Sequence, residues 1–147
     1  MKDMMEILES PSIERITEFQ REHLKLPQIE PPMEHYFADG LYGREMLLRA
    51  GESCVGATHG KEHLCIVMGH CMVVDGTSKR ELIGWNVLIS HPGAKRVILA
   101  IQDTVWLTVH ATKLKDIHEI EQEILLPEDE PNRFFPHGKN TIGRDES

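Results

Sequence analysis

The sequence predicts a mainly β protein, built as one antiparallel β-barrel or jelly roll with a helical arm before it and a helix after it. Three observations lead to this prediction. Short apolar runs, several of them rich in Val and Ile, recur between residues 34 and 112. Turn signals separate these runs. The helical patterns flank this region instead of alternating with strands, which argues against a parallel α/β sheet.

The N-terminal arm is predicted to be a helix followed by an extended linker, together covering residues 1–30. Ser10 is placed as the N-cap and Pro11 at the first helical position, because both residue types favour these sites. The helix should end before Pro27. Four apolar side chains then fall roughly on one helical face: Ile13, Ile16, Phe19 and Leu24.

The predicted β region spans residues 31–112. Its apolar runs cover residues 64–68, 71–74, 87–89, 97–101 and 105–109, and its turn signals lie at residues 38–40, 50–52, 75–77 and 91–93. Runs of this length bounded by Gly, Pro and Asp are typical of short strands in a sandwich or barrel.

A second helix is predicted over residues 113–126. Asp116 and Glu119 have the spacing of a capping box, and Ile117, Ile120 and Ile124 form one stripe. Pro127 should end this helix. The remaining residues, 127–147, are polar and contain Pro and Gly, so we expect a flexible tail.

Composition excludes several classes of function. The chain has 147 residues and a formal net charge of −8, which argues against binding to nucleic acid or an anionic membrane. Its three cysteines form no Cys-x-x-Cys pair, so we expect buried thiols in a reducing compartment. No signal peptide or long apolar segment is visible, and we therefore expect a cytoplasmic protein.

One stretch of the β region carries a recognisable pattern. Gly51 is followed by His59, then by Glu62 and His63, and then by Gly69. This order resembles the first motif of the cupin superfamily, which has a glycine, two histidines separated by one residue, a glutamate and a later glycine. Ala57 stands where the first histidine would be. Glu62 fits the spacing to Gly69, whereas His63 fits the spacing from His59.

Residues 84–96 resemble the second cupin motif, with the Pro92-Gly93 turn before a final pair of strands. The last metal-binding histidine of the family would fall at or near Arg96. Together with residues 36–40 and 103–106, the pattern is similar to the small single-domain cupins often encoded by bacteriophages. The resemblance covers residues 34–112.

The resemblance implies a divalent metal site, with Fe, Mn, Ni or Zn as the candidates. Its ligands would be His59 together with His63 or Glu62, and strand alternation favours His63. The third ligand would be His91 or His110, because the guanidinium of Arg96 cannot bind a metal. Since Ala57 and Arg96 replace two expected histidines, the metal should be weakly held or absent, and His59 and His63 can equally be ordinary polar residues at a turn.

The leading functional hypothesis is a phage-related binding or accessory protein without catalysis. Its pocket, lined by His59, His63 and Arg96, would take a small polar or anionic molecule, since a fixed cation suits a carboxylate or phosphate. One alternative is a metal-dependent enzyme of the dioxygenase or isomerase type. Another is a structural or interaction component of a phage particle, with phage structural proteins as partners and the virion or the bacterial cytoplasm as its location. A homodimer or a higher homo-oligomer is also expected.

Overall fold

The computed structural model describes residues 9–56, 58–76, 78–126 and 141–142. This part of the chain contains one seven-stranded sheet and two helices. In chain order the elements are α1 (Ile13–His23), β1 (Met33–Ala38), β2 (Leu41–Leu48), β3 (Ser53–Val55), β4 (His63–Val74), β5 (Lys79–Ser90), β6 (Val97–Ala111), α2 (Ile117–Ile124) and β7 (Thr141–Ile142). The mainly β class is confirmed.

Strand β6 organises the sheet, and every strand pair is antiparallel. The second half of β6 pairs with β2, its first residues pair with β3, and β4 runs along its other side. Within the described residues β1 pairs only with β2, and β5 only with β4. The sheet is therefore jelly-roll-like, but hydrogen bonds do not close it into a barrel.

Three of the strands are longer than the apolar runs indicate, and β5 extends well beyond its run at 87–89. Strand β4 joins the runs at 64–68 and 71–74, and β6 joins those at 97–101 and 105–109. Both strands are interrupted at the same level, where the β4–β6 register shifts around His70. Gly69 has a φ of +141° there, and a Cβ atom would lie 2.5 Å from the carbonyl oxygen of Asp103. Only glycine lets the two strands approach this closely.

The core lies on the inner face of the sheet. Alternate residues of β4 are buried, and all three cysteines are free thiols within the core, as the sequence predicts. Burial raises the pKa of the Cys71 thiol to about 11. The main cluster also contains Leu48, Val67, Ile98 and Trp106.

The helices cover the two ends of this core. Ile16 and Phe19 of α1 pack against Val55, Val74 and Val97. Ile120 and Ile124 of α2 pack against Tyr42 of β2. Neither helix is long and apolar enough to cross a membrane.

The predicted cap of the first helix is wrong by two residues. Ser12, not Ser10, is the N-cap: its Oγ accepts a hydrogen bond from the backbone N–H of Arg15 at 3.1 Å. Pro11 therefore lies before the helix, which begins at Ile13. The predicted cap of α2 is confirmed, because Asp116 accepts a hydrogen bond from the N–H of Glu119. Of the predicted tail, residues 127–140 and 143–147 lie outside the described part, and Thr141–Ile142 pairs with β3.

Candidate metal centre and adjoining pocket

Two histidines meet because β4 and β6 are neighbours. His63 is the first residue of β4, and the register pairs the next residue, Leu64, with Val109 of β6. His63 and His110 are therefore adjacent, and both are buried. Their ring centroids lie 4.2 Å apart.

His59 completes the cluster from a loop. A β-bridge to Leu125, just after α2, holds its backbone, and its carbonyl accepts a hydrogen bond from the N–H of Gly93 at 2.8 Å. Its ring centroid is 4.4 Å from that of His63 and 5.0 Å from that of His110. One ring nitrogen from each histidine lies within 4.8 Å of the other two.

The three imidazoles are neutral at neutral pH. Burial, with additional repulsion from the neighbouring histidines and from Arg44, lowers the pKa of His59 to about 2. Burial, with His63 and Arg44 adding to it, lowers the pKa of His110 to about 3. Burial also lowers the pKa of His63, against the opposing effect of its hydrogen bond to the Lys61 carbonyl. Protonation would place positive charge in a poorly solvated site.

The hydrogen bonds of the cluster leave ring nitrogens available as ligands. The Nδ1 of His63 lies 3.0 Å from the Lys61 carbonyl oxygen, which can only accept, so Nδ1 carries the proton and Nε2 keeps its lone pair. The Nδ1 of His59 lies 2.9 Å from the Nε2 of His110. The Nδ1 of His110 is buried without a hydrogen-bond partner. Three neutral imidazoles, two buried and that of His59 half-buried, keep ring nitrogens available and fit a divalent metal ion.

The structure shows which of the alternative metal ligands proposed from the sequence lie together. His110 joins His59 and His63, whereas Glu62 and His91 form an exposed pair, with 3.1 Å between the Glu62 carboxylate and the His91 Nδ1. Ala57 lies outside the described residues. Arg96 donates a hydrogen bond to the Ser90 Oγ at 2.9 Å.

Arg96 lines a different cavity from His59. It lines a second cavity together with Arg80 and Leu82 of β5. Its charge nevertheless contributes to lowering the pKa of His59 and of His63, since it lies near the cluster. Arg96 is thus an electrostatic neighbour of the histidines and does not line their pocket.

A cavity of about 120 Å³ adjoins the cluster and is bordered by His59 and His110. Most of its other walls are apolar. These walls include Met33, Met46, Val55, Ile98, Trp106 and Ile124. Tyr42, Arg44 and Thr108 provide the polar groups.

Sequence reasoning missed the ion pair beside this cavity. The Nη2 of Arg44 lies 2.8 Å from a carboxylate oxygen of Glu121, which is 5% exposed. The Nε of Arg44 donates to the Tyr42 hydroxyl at 2.8 Å, and that hydroxyl lies 2.6 Å from the Nδ1 of His35. A signal was present: Arg44 occupies an inward position between buried Tyr42 and Met46, where alternation predicts an apolar residue.

Comparison with solved structures finds proteins of similar fold. The structure of ectoine synthase from P. lautus aligns with a TM-score of 0.51 at 13% identity, covering 72% of this chain and 84% of that one. A cupin 2 conserved barrel domain protein from Salinispora arenicola gives a TM-score of 0.47 at 16% identity, with 57% and 78% of the two chains covered. A cupin-2 domain containing protein from Shewanella frigidimarina gives 0.47 at 9% identity, with 64% and 92% covered.

No protein-family model matches the sequence, and no curated protein matches it. At these identities the likeness to the solved structures concerns the fold alone. The histidine cluster and its pocket carry the functional argument.

Proposed function

We propose that this chain is a small cupin-fold protein that binds one divalent metal ion through His59, His63 and His110. The clustering of three neutral imidazoles, two of them buried and one half-buried, beside a cavity carries the proposal. Imidazole suits Zn, Fe, Ni and Mn, and three protein ligands are typical of a site that keeps a position open for a further ligand.

The ligand at that open position is a small molecule with an anionic oxygen group. Three neutral imidazoles leave the charge of a divalent ion uncompensated, and the nearby carboxylate of Glu121 is already paired with Arg44. A carboxylate or a similar group would supply the missing negative charge. The apolar walls of the cavity fit a short hydrocarbon body, in a space of about four water molecules.

The chain's own residues have distinct tasks at this site. The Lys61 carbonyl fixes the tautomer of His63, which leaves Nε2 for the metal. Burial keeps the histidines unprotonated, so no proton has to leave before metal binds. Ile124 lines the cavity from the α2 side. When bound, the metal would act as a Lewis acid on an oxygen ligand.

A second candidate is a metal-dependent enzyme that acts on the same small molecule. Two of the proposed ligands, His59 and His110, border the cavity, so a bound molecule would reach the metal. Cupin folds carry both binding proteins and enzymes, and the fold does not choose between them. A phage origin, a place in a virion and a cytoplasmic location stay predictions from the sequence.

Elemental analysis of the purified protein, without a histidine tag, tests the proposal. The wild-type protein should contain a divalent transition metal at close to one ion per chain. His63→Ala should lose most of it, because two imidazoles rarely retain a metal through purification. His91→Ala is the matched control and should keep the full content, since His91 is exposed and pairs with Glu62.

Metal-free protein titrated with Zn²⁺ provides the second arm. Failure of Zn²⁺ to bind at micromolar concentration, or equal loss of metal in His63→Ala and His91→Ala, would reject the site. A small carboxylate such as acetate should bind the metal-loaded protein more tightly than the metal-free one. Equal affinity for both forms would reject the anionic ligand while leaving the metal site.

A further inference from the structure

The outer surface of the β4–β5 hairpin is apolar and exposed. Six large side chains point outward from it, and we call this set the hairpin face: Leu64, Met68, Ile83, Trp85, Val87 and Ile89. Strand alternation explains their position, because the intervening residues Cys65, Val67 and Leu82 point into the core.

Cross-strand pairing makes these side chains one continuous surface. Leu64 lies opposite Ile89, and Met68 lies opposite Trp85. On the other side of β4, Leu64 also pairs with Val109 of β6, and Met68 pairs with Val105. The apolar surface therefore extends over three neighbouring strands.

Ionic groups border the hairpin face at both ends of the hairpin. At one end the Glu62 carboxylate lies 3.1 Å from the His91 ring. At the other end the Glu81 carboxylate lies 2.6 Å from the His70 ring. An apolar centre with a polar rim is the usual arrangement of a protein–protein interface.

The exposed area is larger than ordinary surface patches. The six side chains are between 42% and 66% exposed. These fractions correspond to about 700 Å² of accessible surface, against ~300–600 Å² for the largest patch on a typical monomer. Two such faces in contact would bury about 1,400 Å², within the range of standard stable interfaces.

We propose that the hairpin face packs against the hairpin face of a second copy of this chain. The chain carries a net charge of −8, so contact through its charged surface would bring like charges together. None of the six side chains is charged, and a two-fold symmetric contact would place them against the same apolar set. Two sheet faces pack well at about 10 Å separation.

Trp85 is the expected energetic centre of this dimer. It is 64% exposed, and large aromatic side chains dominate the binding energy of interfaces. The inference is independent of the metal proposal, because the hairpin face lies on the opposite side of the sheet from the histidine cluster.

Sedimentation equilibrium of the full chain tests the dimer. The wild-type protein should have twice the chain mass of 16.8 kDa at micromolar concentration. Trp85→Lys and Ile83→Lys should each raise the dimer dissociation constant by at least about 30-fold, as expected for residues central to an interface. Leu26→Lys is the matched control, because Leu26 is also exposed but lies outside the hairpin face.

Far-UV circular dichroism shows which variants are folded. Two disrupting substitutions are made so that the test still holds if one of the variants does not fold. A monomeric wild-type protein would overturn the proposal and leave the face to a different partner. A dimer that persists in the folded Lys variants of the hairpin face would also overturn it. So would a dimer that Leu26→Lys weakens as strongly as Trp85→Lys.

Discussion

His59 and His63 meet for a different reason from the one the sequence indicates. Regular strand alternation places Ala57, His59 and His63 on one face. In the structure β3 ends at Val55, and the chain bends at residues 60–61 before β4 begins. A Cβ atom on Gly60 would lie 2.9 Å from the Leu126 side chain, so glycine permits this close bend. The bend, and not strand parity, brings the two rings together.

The low pKa values of the clustered histidines should make the metal-free protein sensitive to acid. In the folded state the pKa values of His59 and His110 lie at about 2 and about 3, below the ordinary value of 6.5. Between about pH 3 and pH 6.5 the unfolded chain binds protons at these two histidines that the folded chain does not. The free energy of unfolding therefore falls as pH drops below about 6.5, and these two groups leave it unchanged at higher pH. The slope should grow as pH falls below about 6.5 and approach about 1.4 kcal/mol per pH unit for each of the two histidines near pH 5.

Urea unfolding in the presence of a chelator, at pH values from 7.5 to about 5, measures this slope. His59→Gln should reduce the slope by about half, because one of the two proton-binding differences is lost. His91→Gln should leave it unchanged, since His91 is exposed. A stability that does not change with pH in this window would show that the histidines are protonated in the folded protein.

Single residues were predictable where local spacing carries the information. His59 follows from the motif that begins at Gly51 and His63 from its spacing to His59, and His110 was one of two open alternatives for a third ligand. Glu121 was not predictable, because its partner Arg44 is 77 positions away in the sequence. Its burial depends on how α2 packs on the sheet, and the local sequence pattern carries no information on that packing.

At the scale of elements, α2 is the component that covers the pocket. Its residue Ile124 lines the cavity, and the backbone that follows it bonds to the loop of the metal centre: the N–H of Leu126 donates to the Thr58 carbonyl at 2.8 Å. The Arg44–Glu121 pair ties the same helix to β2. The position of α2 therefore depends on this ion pair, on contacts with the His59 loop and on the packing of Ile120 and Ile124 against Tyr42.

Glu121→Gln should destabilise the fold. The substitution leaves the Arg44 guanidinium, whose side chain is 18% exposed, without its counter-charge. Loss of one partner of a buried pair typically costs ~3–5 kcal/mol, and because Arg44 retains some solvent contact we expect about 2–3 kcal/mol. The midpoint of urea unfolding measures the loss.

Glu123→Gln is the matched control in the same helix. Glu123 pairs with Lys61 at the surface, where solvent screens the interaction. Its loss should be clearly smaller than that of Glu121→Gln. Equal losses in the two variants would mean that the Arg44–Glu121 pair does not hold α2 in place.

Element type was predictable, but strand length was not. The capping box identified α2, and two of the four turn signals fall between paired consecutive strands, β1 with β2 and β4 with β5. The runs in β4 and in β6 read as separate strands because Gly69 and the polar residues 102–104 interrupt them. Only the pairing of β4 with β6 shows that both interruptions belong to one shared irregularity.

For the whole molecule, the jelly-roll-like architecture gives its two sheet faces different tasks. The inner face holds the core and, at one end, the histidine cluster and its cavity. The outer hairpin face is apolar and exposed. The sequence predicted the antiparallel fold from its short strands, but not the lack of closure between β1 and β5, because closure depends on curvature accumulated over the entire sheet.

The central claim is that three of the nine histidines bind a metal ion. Nuclear magnetic resonance of the imidazole nitrogens in ¹⁵N-labelled, metal-free protein during titration with Zn²⁺ tests it most directly. The ring signals of His59, His63 and His110 should shift together and stop shifting at one equivalent of Zn²⁺, while those of His70 and His91 stay in place. Shifts confined to His70 or His91, or no saturable shift in the three clustered histidines, would contradict the account.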